Sequence, residues 1–180
     1  YKLVFLIAFG FAFTGCKDDF KPEESFIKVY DDQELNRDYF PLSMNRTSDN
    51  GYCILSAYDN SKIHILKTDE VGNLLWETDL PASYINALPT FIERNGELYF
   101  ICMDAVGFFT YVMKVDENAQ NAVQLQVFSE IQYPLAVADN QTAVYIQNYE
   151  RLTLETGVFK LNATLDQIEN SGFVDINVNV

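Results

Sequence analysis

The sequence predicts an all-β fold built from about three repeated four-stranded antiparallel units. The composition favours strands, because 14 Phe and 11 Tyr accompany many Val, Ile and Thr residues, the types enriched in sheets. Hydrophobic residues make up 48% of the 180 positions, which is enough to bury a core of ordinary domain size. The chain also repeats itself, since Lys67, Lys114 and Lys160 end similar apolar segments spaced by 47 and 46 residues.

Each unit begins with a proline, at Pro41, Pro89 or Pro134, followed by four apolar segments separated by turns. The first unit contains LSM, YCILSAY, KIHILKT and LLWETDL, and the second contains TFIE, LYFICM, FFTYVMKV and AVQLQVF. The third contains LAVA, AVYIQN, TGVFKL and the weaker DQIENSGF. The connecting residues, such as DNG, YDNS, DEVGN, RNG and DNQ, are turn formers, so each segment is predicted to be a strand.

Four strands at a period near 46 residues match a propeller blade, which takes ~40–50 residues. We therefore predict a partial β-propeller over residues 39–180, with blades at about 41–85, 89–130 and 134–176. A β-sandwich with accidental internal similarity is the alternative. Closed propellers have ~4–8 blades, so we expect a fragment of a longer protein in which the final FVDINVNV contributes to a further blade.

The stretch LKTDEVGNLLWETDL resembles the outer half of a blade in exported β-propellers, including PQQ-like repeat proteins. Only the first unit carries the tryptophan of that pattern, Trp76. The resemblance supports the fold over about 140 residues. It implies no quinone site, because no ligands for one are found, and we predict no cofactor.

The N-terminus has the pattern of an export signal. Residues 3–13, LVFLIAFGFAF, form an apolar run behind Lys2 that is too short to span a bilayer and suits a signal peptide. The following TGC resembles the lipobox of bacterial lipoproteins, with Phe13 in place of the usual leucine. This resemblance implies a signal peptide over residues 1–15 and a diacylglyceryl group on Cys16. The alternative is a buried N-terminal element with an ordinary cysteine.

Residues 16–38 are predicted to be the lipidated cysteine and an acidic tether, although SFIKVY within them also fits a first strand. Lys17, Asp18 and Asp19 resemble the surface-export signal of Bacteroidota lipoproteins. That resemblance implies a lipid-anchored protein on the outer face of the outer membrane, and the periplasmic face is the alternative. A formal charge of −14 repels phosphate backbones, so no nucleic acid is expected as a partner.

Few residues suggest chemistry, and we predict no catalytic or metal-binding residue. The single histidine, His64, lies between Ile63 and Ile65 and is predicted to be a polar residue on the less buried face of its strand. Cys53 and Cys102 have no metal-ligand spacing and are predicted to be buried free thiols, although a disulfide is the alternative.

Three further groups of residues allow two interpretations each. The recurring lysines are predicted to cover apolar surface with their stems, and the alternative is a ring that binds an anion. The turns at Asp69 and Asp116 are predicted to be structural, with calcium binding as the alternative. Aromatic residues near strand ends are predicted to pack between blades, with sugar stacking as the alternative; these are Tyr58, Phe108, Phe109, Tyr111 and Tyr149.

The function that these predictions favour is a non-enzymatic binding or scaffolding module, anchored in the membrane through Cys16, with a protein or a glycan as its ligand. This step is an analogy, because propellers serve many functions. One alternative is an outer-membrane assembly factor in the periplasm. Another is a glycan hydrolase whose paired carboxylates lie partly in missing blades.

Overall fold

The computed structural model describes Tyr30, residues 37–151 and residues 153–175. Within these residues every helix or strand is a β-strand, and there are 13 of them. The all-β prediction is therefore confirmed for the part of the chain that is described. The strands form three antiparallel four-stranded meanders, which we call blades 1, 2 and 3.

Blade 1 consists of β1 (Phe40–Arg46), β2 (Tyr52–Tyr58), β3 (Lys62–Thr68) and β4 (Leu74–Asp79). Each strand pairs antiparallel with the one before it. These strands coincide with the four segments predicted for the first unit. The turns contain Asn50 and Asn60 at φ of 70° and 69°, a left-handed conformation that asparagine adopts more readily than most residues.

A short strand, β5 (Tyr84–Ile85), follows blade 1 and was not predicted. It pairs with Lys62 on one side and with Met103 and Asp104 on the other. Through β5 the first two blades form one continuous nine-stranded sheet. Two residues are too few to show a strand's alternating pattern, so the sequence carries no signal for it.

Blades 2 and 3 repeat the plan of blade 1. Blade 2 consists of β6 (Ile92–Arg94), β7 (Glu97–Asp104), β8 (Phe109–Asp116) and β9 (Asn121–Gln132). Blade 3 consists of β10 (Pro134–Asp139), β11 (Val144–Glu150), β12 (Glu155–Leu161) and β13 (Ile168–Asp175). Both are antiparallel meanders that match the predicted units.

Blade 2 is buried on both of its faces. Phe100 and Cys102 belong to a core shared with blade 1, where they pack with residues such as Leu55. The neighbouring Ile101 belongs to a second core shared with blade 3, where it packs with residues such as Ile146. Alternate residues of one strand thus serve two different cores. This face-to-face packing of successive four-stranded units is the arrangement of propeller blades, and the all-β partial propeller predicted as the fold class is confirmed.

Polar contacts also join the first strands of the blades, β1, β6 and β10, which we call the inner strands. Arg94 on β6 donates two hydrogen bonds to Asp139 on β10, at 2.6 and 2.8 Å. The backbone N–H of Phe91 donates to Ser43 Oγ on β1 at 3.2 Å. These contacts complement the apolar cores and fix how neighbouring blades meet.

Residues before β1 contact blade 1 at its β3–β4 turn and around His64 and Asp79. The Tyr30 hydroxyl donates to the carbonyl oxygen of Gly72 at 2.6 Å, and Arg37 forms an ion pair with Asp79. The Tyr39 ring centroid lies 4.5 Å from that of His64. Tyr30 and Arg37 fall in the predicted tether, and both contact the folded domain.

Cys53 and Cys102 are free and fully buried in the core between blades 1 and 2, as predicted. Burial raises the pKa of the Cys53 thiol to about 12 and raises the pKa of Cys102 as well. The thiolate is the reactive form. In a Cys16→Ser chain we therefore expect no reaction with a thiol-specific disulfide reagent at pH 8 in the native state, and two reactive thiols after denaturation. Rapid native labelling would contradict the packing.

Candidate ligand-binding site

One end of the three blades, which we call the upper face, carries a cavity of about 370 Å³. The antiparallel meanders bring to this end the β2–β3 turn, the connection from β5 to β6, and the junction between β9 and β10. The cavity lies where these segments meet. Its lining comprises Leu42, Ala57, Asn60, Ser61, Asn86, Ala87, Leu88, Pro89, Met103, Tyr133, Pro134 and Leu135.

Most of this lining is aliphatic. Leu42 comes from the inner strand of blade 1 and Leu135 from the inner strand of blade 3, while Leu88 and Pro89 precede blade 2. Leu135 is 57% exposed, so an apolar surface is open to solvent here. A concave apolar surface with a few polar groups is the usual form of a ligand site, and ~300–1,000 Å³ is its usual volume.

The polar groups of the cavity come from two turns. The N–H of Asn86 donates to the carbonyl oxygen of Ser61 at 2.8 Å, which holds the two turns together. The carboxamides of Asn60 and Asn86 make no hydrogen bond to any of the residues that the structure describes. Each therefore offers a donor and an acceptor to a ligand.

An aromatic stack borders the cavity at the junction of blades 2 and 3. The rings of Phe108 and Tyr133 stack at 4.6 Å with an interplanar angle of 20°. The guanidinium of Arg151 lies over the Tyr133 ring, 5.2 Å from its centroid. Phe108 and Tyr133 have φ of 56° and 50°, a region that bulky residues rarely occupy and that is enriched at functional sites.

The structure places three of the predicted aromatic residues in different surroundings. Phe108 belongs to the stack beside the cavity. Tyr111 packs at the core between blades 1 and 2, where its ring meets that of Tyr84 edge-on at 5.3 Å, and Tyr58 lies under Arg37 on blade 1. Sequence reasoning missed Tyr133 and Arg151, whose only signals are a position before Pro134 and a place in a turn.

The prediction for His64 was right about the orientation of its side chain and wrong about its exposure. Its side chain points opposite to Ile63 and Ile65, which face blade 2, yet the residue is only 5% exposed. Its Nδ1 lies 2.8 Å from Asp79 and its Nε2 lies 3.5 Å from Glu77. The Tyr39 ring packs against it, so a residue preceding the blade accounts for part of the burial.

Each recurring lysine has a carboxylate partner. Lys67 pairs with Asp49 at 2.7 Å, Lys114 with Glu97 at 2.6 Å and Lys160 with Glu169 at 2.6 Å. Since these charges are paired within their own blades, the three lysines do not form a ring of free cations for an anionic ligand.

The acidic turn residues have the predicted structural role. Asp69 accepts hydrogen bonds from the backbone N–H groups of Val71 and Asn73, at 3.0 and 2.7 Å. Asp116 accepts hydrogen bonds from those of Asn118 and Ala119. No cluster of three or more His, Cys, Asp or Glu side chains suited to a metal occurs in the described part of the chain.

Acid should weaken the contact between Asp49 and the buried Lys67. The hydrogen bond from Lys67 lowers the pKa of Asp49 to about 2. The carboxylate therefore stabilises the fold above the ordinary pKa near 4, and this contribution is lost as the pH falls through about 2. We expect Asp49→Asn to be less stable than the wild type at pH 7, with the difference in melting temperature shrinking below pH 4. A difference that stays constant down to pH 2 would contradict this assignment.

Cys16, Lys17, Asp18 and Asp19, predicted to form the anchor and the export signal, lie outside the described residues. In the part of the chain that is described, no helix has the length and hydropathy needed to cross a membrane. Searches with protein-family models and among curated proteins find no match to this chain.

Proposed function

We propose that this protein is a lipid-anchored propeller module of the cell envelope that binds a protein or a glycan without catalysing a reaction. The observation that carries the binding role is the upper-face cavity, where an open apolar wall lies beside the carboxamides of Asn60 and Asn86, which no described residue engages in a hydrogen bond. Its lining residues carry no formal charge at neutral pH, so they are suited to holding a ligand rather than to moving protons.

The anchor supports an envelope location. A diacylglyceryl group on Cys16 supplies two acyl chains, which hold a protein stably at a membrane where a single chain does not. Lys17, Asp18 and Asp19 would then direct the anchored protein to the outer surface, where an extracellular ligand reaches the blades.

Labelling and proteolysis test the location. Cells of a Bacteroidota host that express the tagged full-length gene are grown with an alkyne fatty acid and then digested intact. We expect labelled protein that protease removes from unlysed cells, no label in Cys16→Ser, and retention inside the cell when residues 17–19 are replaced by alanine. Protection until the outer membrane is opened would overturn surface exposure and favour the periplasmic assembly factor.

A matched pair of variants tests the binding site. The full chain is applied to arrays of peptides and glycans as the wild type, as Leu135→Arg and as Leu125→Arg. Both leucines are exposed, at 57% and 41%, but only Leu135 lines the cavity. We expect Leu135→Arg to abolish binding and Leu125→Arg to leave it unchanged. Equal binding by all three proteins would place the ligand elsewhere and overturn the cavity as the site.

A further inference from the structure

Arg151 differs from Arg37 and Arg94 in having no carboxylate partner among the described residues. Arg37 pairs with Asp79 and Arg94 pairs with Asp139. Arg151 forms no ion pair with any described residue. In a chain with 26 acidic and 12 basic residues, a guanidinium left without an acid is a charge available to an outside anion.

The aromatic stack holds this guanidinium beside the cavity. Tyr133 lines the cavity and its ring lies under the guanidinium of Arg151. The ring of Phe108 stacks on the ring of Tyr133. The N–H of Tyr133 also donates to the carbonyl oxygen of Phe108 at 3.0 Å. Stacking on an aromatic ring restricts a guanidinium while leaving its edge free for the two parallel hydrogen bonds that carboxylates accept.

The cavity complements this cation with an apolar wall and with peptide-like polar groups. A volume of about 370 Å³ lies at the small end of ligand sites, which suits one compact apolar group. The carboxamides of Asn60 and Asn86 can each donate to and accept from a peptide group. The Tyr133 ring already contacts Phe108 and Arg151, so it offers little free surface on which a sugar could stack.

We propose that the upper-face cavity binds the carboxyl terminus of a peptide that ends in an apolar residue. The last side chain enters the apolar wall, the terminal carboxylate accepts hydrogen bonds from Arg151, and the carboxamides meet the final peptide groups. This inference rests on the proposed function, because it names the ligand of the same site. A short free fatty acid shares the chemistry of a carboxylate beside an apolar group, and the test separates the two.

The test uses the full chain and three probes in calorimetric titrations. The probes are the hexapeptide Gly-Ser-Gly-Ser-Gly-Leu with a free carboxyl terminus, the same peptide as its C-terminal amide, and hexanoate. We expect the free acid to bind and the amide to bind at least about tenfold more weakly, since a hydrogen bond to a charged group is worth that factor or more. Hexanoate should bind more weakly than the peptide, because it lacks peptide groups.

Two arginine variants give the control. Arg151→Gln should weaken binding of the free acid about tenfold and leave binding of the amide unchanged. Arg46→Gln should change neither, since Arg46 also forms no ion pair with a described residue but lies at the opposite end of blade 1. Hexanoate binding as tightly as the peptide would overturn the peptide in favour of a fatty acid.

Failure of this inference is distinguishable from failure of the proposed function. If the acid and the amide bind equally, and Leu135→Arg abolishes both, the cavity is a binding site but the carboxylate assignment is wrong. If neither peptide binds, the inference is overturned, and the array experiment with Leu135→Arg decides whether the cavity binds another ligand.

Discussion

Replacing Phe100 with alanine is expected to lower the free energy of unfolding by about 3–5 kcal/mol. The side chain is fully buried in the core between blades 1 and 2, and its ring meets that of Phe91 edge-on at 6.4 Å. Its removal leaves a cavity that strands paired on both sides of β7 cannot close by moving together. Denaturant titration followed by tryptophan fluorescence measures the effect, because Trp76 packs against the same core.

A matching substitution at Ile101, the next residue in β7, tests whether blade 2 is buried on both of its faces. Ile101 is equally buried, but it faces blade 3, so Ile101→Ala should cost about 2–5 kcal/mol. A sheet with one solvated face would tolerate one of these two substitutions. Leu125→Ala on β9 serves as the control and should change stability by less than about 0.5 kcal/mol. A small effect at either Phe100 or Ile101 would contradict the stacking of blade 2 between two others.

The strands were predictable because each one corresponds to a local apolar pattern in the sequence, and the same pattern recurs in every blade. The apolar run LYFICM has no polar alternation, as a strand buried on both faces requires. The turns between strands carry residues that accept left-handed backbone, such as Asn60 and Asn95. Repetition then fixed the grouping into blades, since the same four-strand pattern recurs at nearly constant spacing.

The site was not predictable in the same way, because it forms where blades meet. Asn60 and Asn86 are 26 residues apart in the chain, and their shared position depends on the β5 pairing that no sequence pattern announces. Tyr133 and Phe108 come together through positive φ values that neither residue favours. His64 was assigned too much exposure for a related reason, since its cover includes Tyr39 from outside the repeat.

Apart from the apolar cores, the ion pair between Arg94 and Asp139 is the contact between blades 2 and 3 whose loss we expect to lower the free energy of unfolding most. Their side chains are 12% and 17% exposed, so Asp139→Asn leaves a partly buried guanidinium without its counter-charge. We expect it to lower the free energy of unfolding by about 1–3 kcal/mol, between the cost of losing an exposed pair and that of breaking a buried one.

A double variant separates the need for charge from the need for packing. Arg94 Nε is buried and makes no hydrogen bond to any residue in the described ranges, so the native pair is imperfectly satisfied. Replacing both residues with leucine removes the two desolvated charges together, and exchanges of this kind are often neutral. Arg94→Leu/Asp139→Leu should therefore be clearly more stable than Asp139→Asn. Equal losses in the two variants would instead mean that the ion pair is required for the fold.

The contribution of the Arg94–Asp139 pair to stability should decrease in acid. The hydrogen bonds from Arg94 hold the pKa of Asp139 below its usual value, so the pair stabilises the fold above about pH 4 and loses this contribution as the pH falls further. The wild type should lose stability relative to Arg94→Leu/Asp139→Leu below pH 4, as followed by thermal melting. Parallel pH dependence of the two proteins would contradict this assignment, because it would show that the ionisation of Asp139 does not contribute to the stability of the contact between blades 2 and 3.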